Sequence, residues 1–172
     1  MKVLIVVDMQ IDFVDGVLGS KEAVSMIDTA VETITSFDGK VFYTQDTHGE
    51  DYLDTEEGRH LPVVHCIKGS QGWKIHPKIE KALLLKDATG IEKSTFGSEK
   101  LMGIIEKEVP DVESITLIGI CTDICVISNA MLAKAHFQNT PVNVISSACA
   151  GVTPESHENA LAAMKMCHIE IQ

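Results

Sequence analysis

Residues Ser114 to Ile120 form an apolar, β-branched run that does not alternate with polar positions. A strand of this kind is apolar on both faces. It therefore belongs inside a parallel sheet covered by helices, not on the open face of an antiparallel one. The run breaks at Gly119-Ile-Cys-Thr-Asp-Ile-Cys125. From Cys125 through Val126, Ala130, Leu132 and Ala133, apolar residues return at helical spacing. A strand that turns straight into a helix sets the helix's first N–H groups at the strand's C-terminal end, where open α/β sheets bind ligands. A cysteine at that point lies by the positive end of a helix dipole, so Cys125 is expected to be a thiolate nucleophile. On this stretch alone, a buried apolar cysteine at a helix start stays open as the alternative.

The rest of the chain has the same alternation. Lys2 to Val7 is another unbroken apolar strand, ending at Asp8. Ser20 opens a helix to about Phe37, with Val24, Ile27, Val31 and Ile34 on one face. Lys40 to Gln45 is a strand that ends at Asp46-Thr-His48, Pro77 to Leu85 a helix, and Lys86 to Lys93 an extended stretch. Ser98 caps a helix from Glu99 to Glu108, and a further helix covers Ile124 to Phe137. Pro141 to Ser147 is the next strand and Ala148 to Val152 a loop. A final helix runs from Glu155 to Met166, and His168 to Gln172 is an edge strand. Strands alternating with helices specify an α/β fold with a mainly parallel sheet. A length of 172 residues suits one domain, 1–172, and no internal repeat or linker interrupts it.

A net charge of −11 argues against a nucleic-acid partner, which would meet a basic face. Asp8 ends the first apolar run too soon for a signal peptide or a membrane span. The five cysteines (66, 121, 125, 149 and 167) are odd in number and contain no CxxC, so no disulfide framework is expected. The expectation is a cytoplasmic protein with free thiols, no membrane contact and a small-molecule substrate.

Four strand ends carry reactive residues: Asp8, Asp46 with His48, Lys93, and the Cys121–Cys125 turn. In a parallel sheet these ends face one edge and can converge. A thiol becomes a nucleophile beside a lysine ammonium and a carboxylate that takes and returns its proton, and turn N–H groups can hold the oxyanion. Asp46, His48 and His65, with Glu57 from the long segment Gly49 to His76, suit a divalent metal bound through nitrogen and oxygen. Taken singly, Lys93 also reads as a surface lysine, and the Asp/His group as a solvated acidic loop.

Five segments together resemble the isochorismatase-like cysteine hydrolases, most closely the nicotinamidase (pyrazinamidase) branch. They are Val6-Val-Asp-Met-Gln-Ile-Asp-Phe13, Asp46-Thr-His48, His65-Cys-Ile-Lys-Gly-Ser-Gln-Gly72, Lys93-Ser-Thr-Phe-Gly-Ser98 and Gly119-Ile-Cys-Thr-Asp-Ile-Cys-Val126. The resemblance implies a three-layer α/β/α fold with a six-stranded, mainly parallel sheet. It implies a catalytic triad of Asp8, Lys93 and Cys125, and an oxyanion hole from the N–H groups of Cys121 and Cys125. It also implies a cis peptide at Ile120–Cys121. The metal ligands map to Asp46, His48 and His65, with Glu57 preferred over Asp54 and Glu56 as the fourth; zinc is the expected ion, iron or manganese the alternatives. The implied reaction converts nicotinamide to nicotinate and ammonia through a thioester, with Phe13 stacked on the ring and Ile120 beside it. Homo-oligomers are common in the family. One departure stands out: Leu61, in Leu61-Pro-Val-Val-His65, occupies the place of the usual aromatic wall, with Trp73 or Phe96 as its substitute. The alternatives are a metal-independent relative acting on another small amide, ureido or carbamoyl compound, and a non-catalytic binder or Cys121–Cys125 thiol sensor.

Overall fold

A computed structural model describes residues 1–172. The chain runs β1 (Lys2–Val7), α1 (Ile11–Val14), α2 (Lys21–Ser25), α3 (Ile27–Ser36), β2 (Lys40–Asp46), α4 (Glu56–His60), α5 (Pro77–Leu85) and β3 (Thr89–Lys93). It continues with α6 (Glu99–Glu108), β4 (Ser114–Ile120), α7 (Ile127–His136), β5 (Val142–Ala150), α8 (Pro154–Met166) and β6 (Glu170–Ile171). The six strands form one sheet in the order β3-β2-β1-β4-β5-β6, and every pairing is parallel. Helices flank it, as the unbroken apolar runs require: Val3 to Val7 and Ile115, Leu117 and Ile118 are all buried. No helix is long and apolar enough to cross a membrane.

This order makes β1 and β4 the switch point, since the chain winds from β1 outward through β2 and β3, then returns to β4 and winds the other way. Ligands of doubly wound sheets bind at such a crevice, off the strands' C-terminal ends. Register decides which side chains meet there. Val7 lies opposite Gly119, and Asp46 opposite Lys93. Gly119 has φ +125°, and a Cβ on it would sit 2.1 Å from the Val7 carbonyl oxygen, so the close approach of β4 to β1 needs glycine.

Several local expectations are corrected. The helix expected from Ser20 to Phe37 is two helices, α2 and α3, separated at Met26. The break buries Met26 and Ile27 and leaves Val24 exposed, against the single apolar face read from spacing. Lys86 to Ala88 is a turn with Asp87 at φ +46°, so the extended stretch is shorter than expected. Strand β5 continues through Ala148 to Ala150, after an irregularity in its pairing with β4 between Leu117 and Gly119. The start of the helix after β4 is a π-turn over Thr122–Val126, in which the Val126 N–H donates to the Cys121 carbonyl. That wider turn carries Cys125 as a buried residue at the sheet edge.

Candidate active site

Asp8 follows β1 at φ +46°, an uncommon conformation for a residue with a side chain. It is held there by Thr44 of β2, whose hydroxyl donates to Asp8 Oδ1 at 2.7 Å and accepts from the Asp8 N–H at 3.2 Å. Lys93 Nζ lies 2.6 Å from Asp8 Oδ2, 3.2 Å from Asp46 Oδ1 and 3.7 Å from Cys125 Sγ. The Asp8 contact is a close, buried ion pair. Asp8, Lys93 and Cys125, separated by most of the chain, thus share one buried point.

Burial governs the charges. It would lower Lys93, but the charge of Asp8, then Cys125 and Asp46, outweighs it and holds the ammonium well above its ordinary value. Burial pushes Asp8 up, opposed by Lys93. Burial also pushes the Cys125 thiol well up, with the Asp8 charge adding to it and Lys93 opposing. Desolvation and the neighbouring carboxylate thus oppose the helix terminus, which by itself would favour a thiolate at Cys125. Cys121 is likewise raised, to about 12, by burial and by Asp123.

The turn itself is fastened from several sides. The Ile120–Cys121 peptide is cis. The Asp123 carboxylate accepts from the Val152 N–H, Thr122 Oγ1 lies 2.8 Å from His157 Nδ1, and Asn129 Nδ2 donates to the Cys125 carbonyl at 2.8 Å. The Cys121 N–H bonds no acceptor within the chain.

Asp46, His48, Glu57 and His65 form a cluster whose ligand atoms all lie within 4.8 Å of one another. His65 Nε2 is 3.7 Å from both Asp46 Oδ2 and Glu57 Oε1, and His48 Nε2 is 3.7 Å from Glu57 Oε1. Ligands at about 2.1 Å around a tetrahedral ion stand about 3.4 Å apart, close to this spacing. His48 Nε2 is 2.8 Å from Asp46 Oδ2 yet buried without a hydrogen bond, as a nitrogen aimed at a shared point would be. His65 Nδ1 meets the Val63 carbonyl at 2.7 Å, which leaves Nε2 for an ion. The group fits a divalent cation. Burial would raise Asp46, but the close approach of His48 and the charge of Lys93 hold it low; Glu57 is raised by burial and by Asp46.

Gln10 and Asp12, to which sequence reading assigned no role, brace these ligands. Gln10 Nε2 donates to the Asp46 carbonyl at 2.8 Å and its Oε1 accepts from the Asp46 N–H at 2.7 Å. Asp12 Oδ2 accepts from the Cys66 N–H at 2.8 Å, beside His65. The signal was present: both stand in the short segment after β1 that also holds Asp8. Thr44, in mid-strand, carried none.

Above the cluster lies a cavity of about 720 Å3 lined by Phe13, Leu61, Ile120, Cys121, Cys125 and Phe96, among others, with Asp46, Glu57 and His65 also facing it. Phe13 packs edge-on to His65 with ring centroids 5.4 Å apart. Trp73 does not reach the cavity, contrary to expectation. Its indole N–H donates to Thr47 Oγ1 at 2.9 Å, its carbonyl accepts from Gln10 and Gln45, and the residue lines a separate cavity with Tyr43 and Leu83. Phe96 lines the cavity with Leu61 instead.

The isochorismatase-domain family model matches residues 2–171. The chain belongs to the isochorismatase family. An isochorismatase-family protein of Bacillus subtilis is 31% identical, covering 94% of this chain and 92% of its own. The nicotinamidase of Schizosaccharomyces pombe is 27% identical over 98% of this chain and 91% of its own. Among solved structures, the Pyrococcus horikoshii pyrazinamidase in complex with zinc superposes with a TM-score of 0.84 at 28% identity, covering 99% of this chain and 98% of that one. Isochorismatase-family membership agrees with the parallel sheet.

Proposed function

We propose that the chain hydrolyses nicotinamide to nicotinate and ammonia through a thioester on Cys125. The observation that carries this reading is Lys93 Nζ in contact at once with Asp8, Asp46 and Cys125 Sγ. Asp8, whose proton affinity burial raises, takes the thiol proton, and the Lys93 ammonium stabilises the sulfur as it becomes negative. The sulfur attacks the carboxamide carbon. The N–H groups of Cys121 and Cys125 receive the oxyanion, where one donor is worth about 3 kcal/mol. Asp8 returns the proton to the amide nitrogen, the C–N bond breaks and ammonia leaves. Asp8 then deprotonates a water that attacks the thioester, and the sulfur leaves and regains the proton. Phe13 flanks the ring, and Ile120 lies beside it. A divalent ion, zinc in this reading, held by Asp46, His48, Glu57 and His65 supplies a Lewis-acid docking point for the pyridine nitrogen when bound.

The intact ligand cluster favours this reading over a metal-independent relative. The raised thiols of Cys121 and Cys125 speak against a thiol sensor, which needs accessible thiolate. Five unpaired cysteines fit a reducing, cytoplasmic setting. The test is ammonia release from nicotinamide. Cys125→Ala should lower kcat by about a thousandfold or more, while Cys121→Ala, which keeps the backbone N–H, retains activity. Wild-type rates in Cys125→Ala would remove the nucleophile assignment.

A further inference from the structure

The cavity above Cys125 is larger than one ring requires. A space of about 150 Å3 holds benzene, whereas this cavity measures about 720 Å3, within the range that buries drug-sized ligands. Its chemistry is graded with depth. Asp46, His65 and Cys125 are buried at its base, while Leu61, Phe96 and Val152 are 37%, 47% and 57% exposed. Three large apolar side chains therefore line the mouth, beside the exposed Glu56 and His60, of a site whose Asp46, His65 and Cys125 lie deep. Apolar surface held open to water at a cavity mouth is stabilised when something apolar covers it. A nicotinamide seated with its carboxamide at Cys125 would fill the base and leave these three uncovered. The rim is acidic, with Glu56 in contact with His60, and the chain's net charge is −11, so an anionic extension is disfavoured.

We infer that the preferred substrates are heteroaromatic carboxamides bearing an uncharged apolar substituent, about one ring in size, that reaches out onto Leu61, Phe96 and Val152. This rests on the amidase reading for the position of the carboxamide. The carboxamide and ring nitrogen bind at the base as in nicotinamide, and the substituent is held by contact area alone. Each methylene equivalent buried is worth about fourfold in affinity, from roughly 0.8 kcal/mol. Covering two to three such equivalents gives at least about a tenfold preference.

The experiment is calorimetric titration of the zinc-saturated Cys125→Ala protein with nicotinamide and with nicotinamide bearing a phenyl group meta to both the carboxamide and the ring nitrogen. The expected result is a Kd at least about tenfold lower for the phenyl compound, with Phe96→Ala bringing it back towards that of nicotinamide. Phe96 is half-exposed, so that variant does not disturb the core. Equal or weaker binding of the phenyl compound, or a preference untouched by Phe96→Ala, overturns the inference. Ammonia release by the wild type is measured on both compounds in parallel. Turnover of neither compound counts against the amidase reading, while the binding comparison still decides the substituent.

Discussion

Replacing Thr44 with valine should raise the pH at which the site becomes active. The Thr44 hydroxyl donates to Asp8 Oδ1 at 2.7 Å, with both residues fully buried, and this bond lowers Asp8 against the rise that burial imposes. A hydrogen bond to a charged group contributes roughly 2 kcal/mol, and one pKa unit corresponds to about 1.4 kcal/mol. Valine keeps the volume and removes the donor, so the Asp8 carboxylate becomes harder to ionise by roughly one to two units. The sign follows from its role as base. At a given acidic pH less of it is ionised, so the acidic limb of kcat/KM moves to higher pH by roughly the same amount. That limb belongs to the coupled Asp8–Lys93–Cys125 group and not to Asp8 alone. The Asp8 N–H retains the Thr44 carbonyl at 3.3 Å, so the backbone arrangement survives. Thr44→Ser keeps the hydroxyl and should keep the wild-type limb. The assay is ammonia release from nicotinamide across roughly pH 4–10 for all three proteins. An unmoved limb in Thr44→Val, or one moved to lower pH, would refute the reasoning.

Lys93→Met leaves the buried carboxylates of Asp8 and Asp46 without their shared cation. It should abolish ammonia release and cost about 3–5 kcal/mol in urea unfolding, so a variant as stable as the wild type contradicts the shared role. Dialysis against a chelator should lower Tm by about 10 °C, since an ion present at a thousandfold its Kd contributes roughly 4 kcal/mol. His65→Ala should erase that difference and the bound metal, and a Tm indifferent to chelation argues against the ion. Gly119→Ala would set its Cβ 2.1 Å from the Val7 carbonyl oxygen in a left-handed conformation; a loss of about 3 kcal/mol or more is expected in urea unfolding, and a loss below about 1 kcal/mol contradicts the close approach.

Much of the frame was legible because its signals are local. Unbroken apolar runs at Lys2 to Val7 and Ser114 to Ile120 announce strands buried on both faces, and those strands lie side by side at the sheet's centre. Asp8, Asp46 and Lys93 could be read as neighbours because parallel strands end on one edge. Thr44 could not, since a mid-strand threonine looks the same in sequence whether or not a carboxylate lies beside it. The break at Met26 was hidden because Val24, Ile27, Val31 and Ile34 keep helical spacing across it. Trp73 misled because its place in the long loop says nothing of the Thr47 hydroxyl and the glutamine side chains that capture it.

By itself, the sequence determined the alternation of strands and helices, a mainly parallel sheet, and which reactive groups reach its C-terminal edge, because hydrophobic period and strand ends are properties of short stretches of chain. The tertiary structure alone decided that burial pushes the Cys125 thiol up, that one lysine touches Asp8, Asp46 and the sulfur together, and that Phe96 and not Trp73 lines the cavity with Leu61. Desolvation and Coulomb energies depend on neighbours through space, and those neighbours are set by strand register and by the path of the loop from Gly49 to His76.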